Sequence, residues 1–119
     1  MWLFTETGFV SAVCDVKDKS TMVVRARDRK SLEAISKTYG KDIIELSKRD
    51  YAYRVFLTKE ELTDWMSRAI ADANYTNYKS RMEQTRGHAF VDALHDVWSV
   101  MLKTTDTAKA KARSLYASY

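Results

Sequence analysis

Residues 51–66 read YAYRVFLTKEELTDWM, and the change of period inside this stretch decides the fold. From Tyr51 to Leu57 the aromatic and β-branched residues suit a strand. At Thr58 the pattern switches. Thr58 and Glu61 stand at the spacing of a capping box, in which the hydroxyl and the carboxylate each satisfy a backbone N–H left over at a helix start. Leu57 and Leu62 flank the box at the positions of a hydrophobic staple. Leu62, Trp65, Met66, Ala69 and Ile70 then recur at helical spacing. A strand that runs straight into a capped helix fixes which way its side chains point. The staple turns Leu57 toward the helix, so alternation sends Val55, Tyr53 and Tyr51 the same way. Phe56, Arg54 and Ala52 then face the other side of the sheet.

Upstream, Gly8 to Val16 and Thr21 to Arg27 are strand-like runs around Lys17-Asp18-Lys19-Ser20, which predicts a hairpin. Trp2 to Thr5 adds a short strand. Asp28 can cap a helix carrying Leu32, Ile35 and Tyr39, and Gly40 suits its left-handed stop. Ile43 to Ser47 forms a further strand before Tyr51 to Leu57. Downstream, the capped helix runs to about Asn74 and a second helical stretch starts near Thr76. Gly87 bends or breaks that stretch, and Phe90, Val91, Leu94, Val97, Trp98, Met101 and Leu102 continue the stripe. This order predicts an α+β fold: an antiparallel sheet of about four to five strands with helices packed on one face. Residues 1–103 form a single α+β domain, and 104–119 a basic tail, either a weak helix or disordered.

Composition agrees. Hydrophobic residues make up 45% and charged residues 30%, the balance of a chain that folds around a core. Trp2-Leu3-Phe4 is too brief for a signal peptide or a membrane span. Cys14 is the one cysteine, so no disulfide framework is available, and its apolar surroundings read as core. The expected location is cytoplasmic, with no membrane association. The net charge of +4 permits an anionic partner.

Alternation on the hairpin places Arg25 and Arg27 with Val23 on the face away from the helices. Phe9, Ser11, Val13 and Asp15 join them from the first strand. With Arg54 and Phe56 this gives a sheet face of arginines and aromatics. Guanidinium forks hold phosphate oxygens, and aromatic rings offer a stacking surface to a base. The same face could instead be solvated, with Arg25 or Arg27 paired to Asp15, or form a dimer interface. A second group, Tyr51 and Tyr53 with Asn77, Tyr78 and Lys79, flanks the capped helix and reads either as a pocket lining or as core edge. His88, Asp92, His95 and Asp96 share one helix face, but the spacing matches no metal motif and reads as a polar face. No glycine-rich phosphate loop, nucleophile elbow or HExxH motif is present, and no enzyme, metal or cofactor is expected.

Five segments occur in order: Met1-Trp2-Leu3-Phe4-Thr5 with Gly8-Phe9 and Ser11; Val24-Arg25-Ala26-Arg27; Asp50-Tyr51 with Tyr53-Arg54; Tyr75 with Asn77-Tyr78-Lys79; and His95 with Val97-Trp98-Ser99-Val100-Met101. As a set they resemble a family of small uncharacterised bacterial and phage proteins. The resemblance implies no chemistry. A phage setting implies a counter-defence or host-takeover role in the host cytoplasm. The function expected is non-enzymatic binding and sequestration of a phosphate-bearing, nucleotide-type small ligand. Arg25, Arg27 and Arg54 would hold phosphates, and Tyr51, Tyr53, Asn77, Tyr78 and Lys79 the base or sugar. Because Tyr53 and Arg54 point to opposite faces, a homo-oligomer, dimer or higher, would be needed to join the two sets. The alternative is a module for single-stranded nucleic acid or protein that docks on the Arg/Phe face with Phe9 and Phe56.

Overall fold

The computed structural model describes residues 1–106, which divide into two compact units, Met1–Asn74 and a second from Tyr75 onward. The first unit is a five-stranded sheet with two helices. Its strands are β1 (Trp2–Thr5), β2 (Gly8–Cys14), β3 (Thr21–Ala26), β4 (Ile44–Glu45) and β5 (Tyr53–Thr58). Their spatial order is β1-β2-β3-β5-β4, and every neighbouring pair is antiparallel. Between β3 and β4 runs α1 (Lys30–Tyr39), and α2 (Lys59–Asp72) follows β5 directly. The fold is α+β, as the change of period predicts.

Both helices cover one face of the sheet. Val10, Ala12, Met22, Val24, Ala26, Val55 and Leu57 meet Leu32 and Ile35 of α1 and Leu62 of α2 in one buried cluster. These are the side chains that alternation assigned to the helix side. The capping box at Thr58 forms as read: the Glu61 N–H donates to Thr58 Oγ1 (3.0 Å), and the Thr58 N–H donates to Glu61 Oε1 (2.9 Å). Leu57 and Leu62 are both buried, so the staple is also in place. Asp28 accepts from the Ser31 N–H ahead of α1, and Gly40 closes that helix at φ 62°, where a Cβ would be strained.

Several boundaries differ from the expectation. The hairpin closes early, because the Asp15 N–H bonds the Thr21 carbonyl and Asp18 accepts from Ser20 and Thr21. Strand β2 therefore ends at Cys14. Cys14 is exposed rather than core, and Val16 is exposed in the turn. Ile43–Ser47 shrinks to the two residues of β4. Helix α2 stops at Asp72, and Ile70, expected on its apolar stripe, is 75% exposed.

The second unit contains α3 (Tyr78–Arg86) and α4 (His88–Met101), which pack on each other, and a single 3-10 turn, Leu102–Thr104. Gly87, at φ 89°, separates the two helices. Asn77 caps α3, close to the expected start near Thr76. Of the expected tail, residues 107–119 lie outside the described residues. No helix among the described residues is long and apolar enough to cross a membrane.

Candidate functional site: an arginine pair on the sheet face opposite the two helices

Strand register builds the site. β3 pairs with β2 on one side and β5 on the other, which sets Ser11 opposite Arg25 and Arg25 opposite Arg54. The row continues to Trp2 on β1 and Ile44 on β4. One step along, Val13, Val23 and Phe56 form the next row. Partners in an antiparallel ladder share a face. Trp2, Ser11, Arg25 and Arg54 therefore lie together on the side away from α1 and α2, with Phe4, Phe9 and Phe56. Phe9 stacks on Phe4 (ring centroids 4.6 Å apart) and meets Trp2 edge-on (5.9 Å).

The two central arginines are cations with no carboxylate partner among the described residues. Arg25 Nη2 donates to Ser11 Oγ (2.8 Å), and Arg54 Nη2 donates to the Tyr51 carbonyl (3.3 Å). The Nε atoms of Arg25 and Arg54 are shielded from solvent, and no acceptor among the described residues reaches either one. Burial first, then the charges of Arg49 and Arg25, lowers the Arg54 pKa from its ordinary value. Like charges directly opposite one another in a ladder oppose folding, and an unmet buried donor adds a desolvation cost. The arrangement on its own is therefore unfavourable.

Arg27 has a different position. Its Nη2 pairs with Asp50 at 3.2 Å, so its charge is compensated by Asp50 rather than by Asp15. A hydrogen bond with the Tyr51 side chain is the main reason its pKa lies above the ordinary value, with Asp50 contributing less.

Tyr51 corrects the alternation argument. It was expected on the helix side. Instead two guanidinium groups lie over its ring, with Arg25 Cζ 4.6 Å and Arg27 Cζ 4.3 Å from the centroid. Period-two alternation holds only inside a ladder, and β5 begins at Tyr53. Residues 51 and 52 belong to the turn before it, where the Leu46 N–H bonds the Ala52 carbonyl. Tyr51 is buried against the arginines and orients them through cation–π contact.

The other predicted site residues lie elsewhere. Tyr53 stays on the helix side, opposite Ala26, and packs on the core. Asn77, Tyr78 and Lys79 belong to the second unit. The Asn77 side chain accepts from the Ser80 N–H (3.0 Å) and caps α3. Tyr78 packs beside Tyr75, and burial, then Tyr75, pushes its hydroxyl pKa up. Lys79 Nζ lies 5.3 Å from the Trp98 ring centroid and 3.3 Å from His95 Nδ1. His88 lies 3.5 Å from both Glu83 and Asp92, and the described residues hold no cluster of three or more His, Cys, Asp or Glu placed for a metal.

Sequence reasoning missed Trp2, Phe4 and Arg49. Alternation along β1 could have found Trp2 and Phe4, once Glu6-Thr7 was read as a tight turn that sets Trp2 opposite Ser11. Arg49 carried no such signal, because it lies in a turn. No family model, curated protein or solved structure matches the chain, so the site is read from its own geometry.

Proposed function

We propose that the protein is a non-enzymatic binding protein for a phosphate-bearing, nucleotide-type ligand, which it holds on the sheet face opposite α1 and α2 and so sequesters. One observation carries this reading: Arg25 and Arg54 face each other across β3 and β5 with no acidic partner among the described residues and with an unmet donor each. A phosphate between them would relieve the repulsion and supply the acceptors. Guanidinium is suited to this because its planar fork matches phosphate oxygens. Phe56, two residues from Arg54 on the same face of β5, offers a ring to a base beside the phosphate.

Tyr51 contacts both members of the pair, and Arg27 packs on its ring. Tyr53 packs on the core of the first unit, while Asn77, Tyr78 and Lys79 have partners within the second unit and are not used in this reading. The oligomer expected from the sequence is not required by this reading, because Arg25, Arg54 and Phe56 share one sheet of one copy. In the phage or bacterial setting that the sequence resemblance suggests, withdrawing a nucleotide signal would serve counter-defence.

Titration calorimetry with a panel of mono-, di- and cyclic nucleotides tests the proposal. Saturable heat is expected from at least one class, and its loss in Arg25→Met and Arg54→Met. Absence of heat across the panel at high concentration would overturn it.

A further inference from the structure

A mononucleotide accounts for the arginine pair and Phe56 but leaves the far side of the same face unexplained. Trp2 is 67% exposed, and Phe56 is 37% exposed. A single exposed ring is ordinary on a protein surface, but these two share one face with the arginine pair, and such rings offer stacking surfaces to bases. Their placement follows from the register. Trp2 sits in the row of Ser11, Arg25 and Arg54, on the edge strand, while Phe56 lies one row along on β5. Three interstrand spacings and one two-residue step separate them, a diagonal of about 16 Å. Arg25 lies on a strand between those that carry the two rings, and Arg54 sits two residues from Phe56 on β5.

We infer that the ligand of this face is a single-stranded nucleic acid, with phosphates on Arg25 and Arg54 and unstacked bases on Phe56 at one end and Trp2 at the other. The inference rests on the reading that the arginine pair holds a phosphate. At a stacked rise of about 3.4 Å per nucleotide, the span corresponds to about five nucleotides, and to fewer in a strand splayed open between the rings. A single nucleotide cannot reach both rings. A duplex keeps its bases stacked on each other, so it cannot offer their faces to either ring. Charge complementarity selects the polyanion over an apolar peptide: the centre of the patch is cationic and only its flanks are aromatic. Ring stacking tolerates any base, so little sequence preference is expected.

The experiment is a length series of oligothymidylates and oligouridylates, from the mononucleotide upward, titrated into the full chain at low salt and followed by anisotropy of an end label. Affinity should rise with length until the strand spans the face and then level off. Trp2→Ala and Phe56→Leu should each shrink that gain by about ten-fold or more. With two phosphates held, log affinity should fall with log salt at a slope of about −1.4. Arg68→Ala on α2, which removes a cation paired with Asp64 and far in sequence from the site, should leave the series unchanged. Binding of either sugar type supports the inference. If the mononucleotide binds as tightly as the long strand, or a duplex binds better than its separated strands, the inference falls while the nucleotide reading stands. If nothing in the series or the nucleotide panel binds, both fall.

Discussion

At the scale of residues, Arg25 and Arg54 set function against stability. Replacing Arg54 with Met removes a like-charge pair from the ladder while keeping an apolar stem on the sheet. Urea melts should show the variant gaining about 0.2–1 kcal/mol, the size of such cross-strand terms, while it loses ligand binding. A loss of stability instead would mean that the bond from Arg54 to the Tyr51 carbonyl outweighs the repulsion. Tyr51 should behave oppositely. It is 8% exposed and packed against two guanidinium groups. Tyr51→Ala should cost roughly 3 kcal/mol, as for other buried aromatic truncations, and should weaken binding by freeing the arginines. Tyr51→Phe should keep most of the stability. Alternation made Arg25 and Arg54 legible from sequence, because both lie within the paired ladder of β3 and β5. Tyr51 was not legible, because its direction depends on where β5 starts, and one residue of shift reverses a side chain.

Among the elements, the junction of β5 and α2 was the most readable, because capping chemistry is contiguous in sequence. Thr58→Ala should cost about 1 kcal/mol in a denaturant melt. The box also predicts a pH response. The Thr58 backbone N–H, ahead of Lys41, holds the Glu61 carboxyl below its ordinary value. A carboxylate whose folded pKa is depressed contributes stability that is fully present above its unfolded pKa. That contribution is lost as pH falls toward the folded value. Melts from neutral pH down into the acid range should therefore show a loss of stability that Glu61→Gln reduces, since the amide still accepts the hydrogen bond without titrating. Equal slopes in both proteins would rule Glu61 out as a source. Elements defined by distant partners were less legible. The shortness of β4 depends on its pairing with Arg54 and Tyr53 alone. The exposure of Cys14 depends on how early the hairpin closes, and the tyrosine-rich start of α3 hid a plain Asn77 cap.

On the scale of the whole molecule, the fold class was legible because local signals agreed: alternation, turn residues and caps all specified a sheet covered by helices. The site was legible only in part, since a register joins residues far apart in the chain. A ligand that binds only the folded protein should stabilise it by about 2.7 kcal/mol at about a hundredfold excess over its Kd, so thermal melts with a saturating strand should shift upward. The protein also carries its own optical reporter. Of its three tryptophans, Trp65 and Trp98 are half-buried, whereas Trp2 projects from the sheet face. A water-facing indole emits toward the red, so Trp2 should supply the long-wavelength shoulder of the intrinsic fluorescence, and Trp2→Phe should remove it. A base stacked on that indole should quench the same shoulder and leave a bluer, dimmer spectrum. Occupancy of the edge strand could then be followed with no label attached.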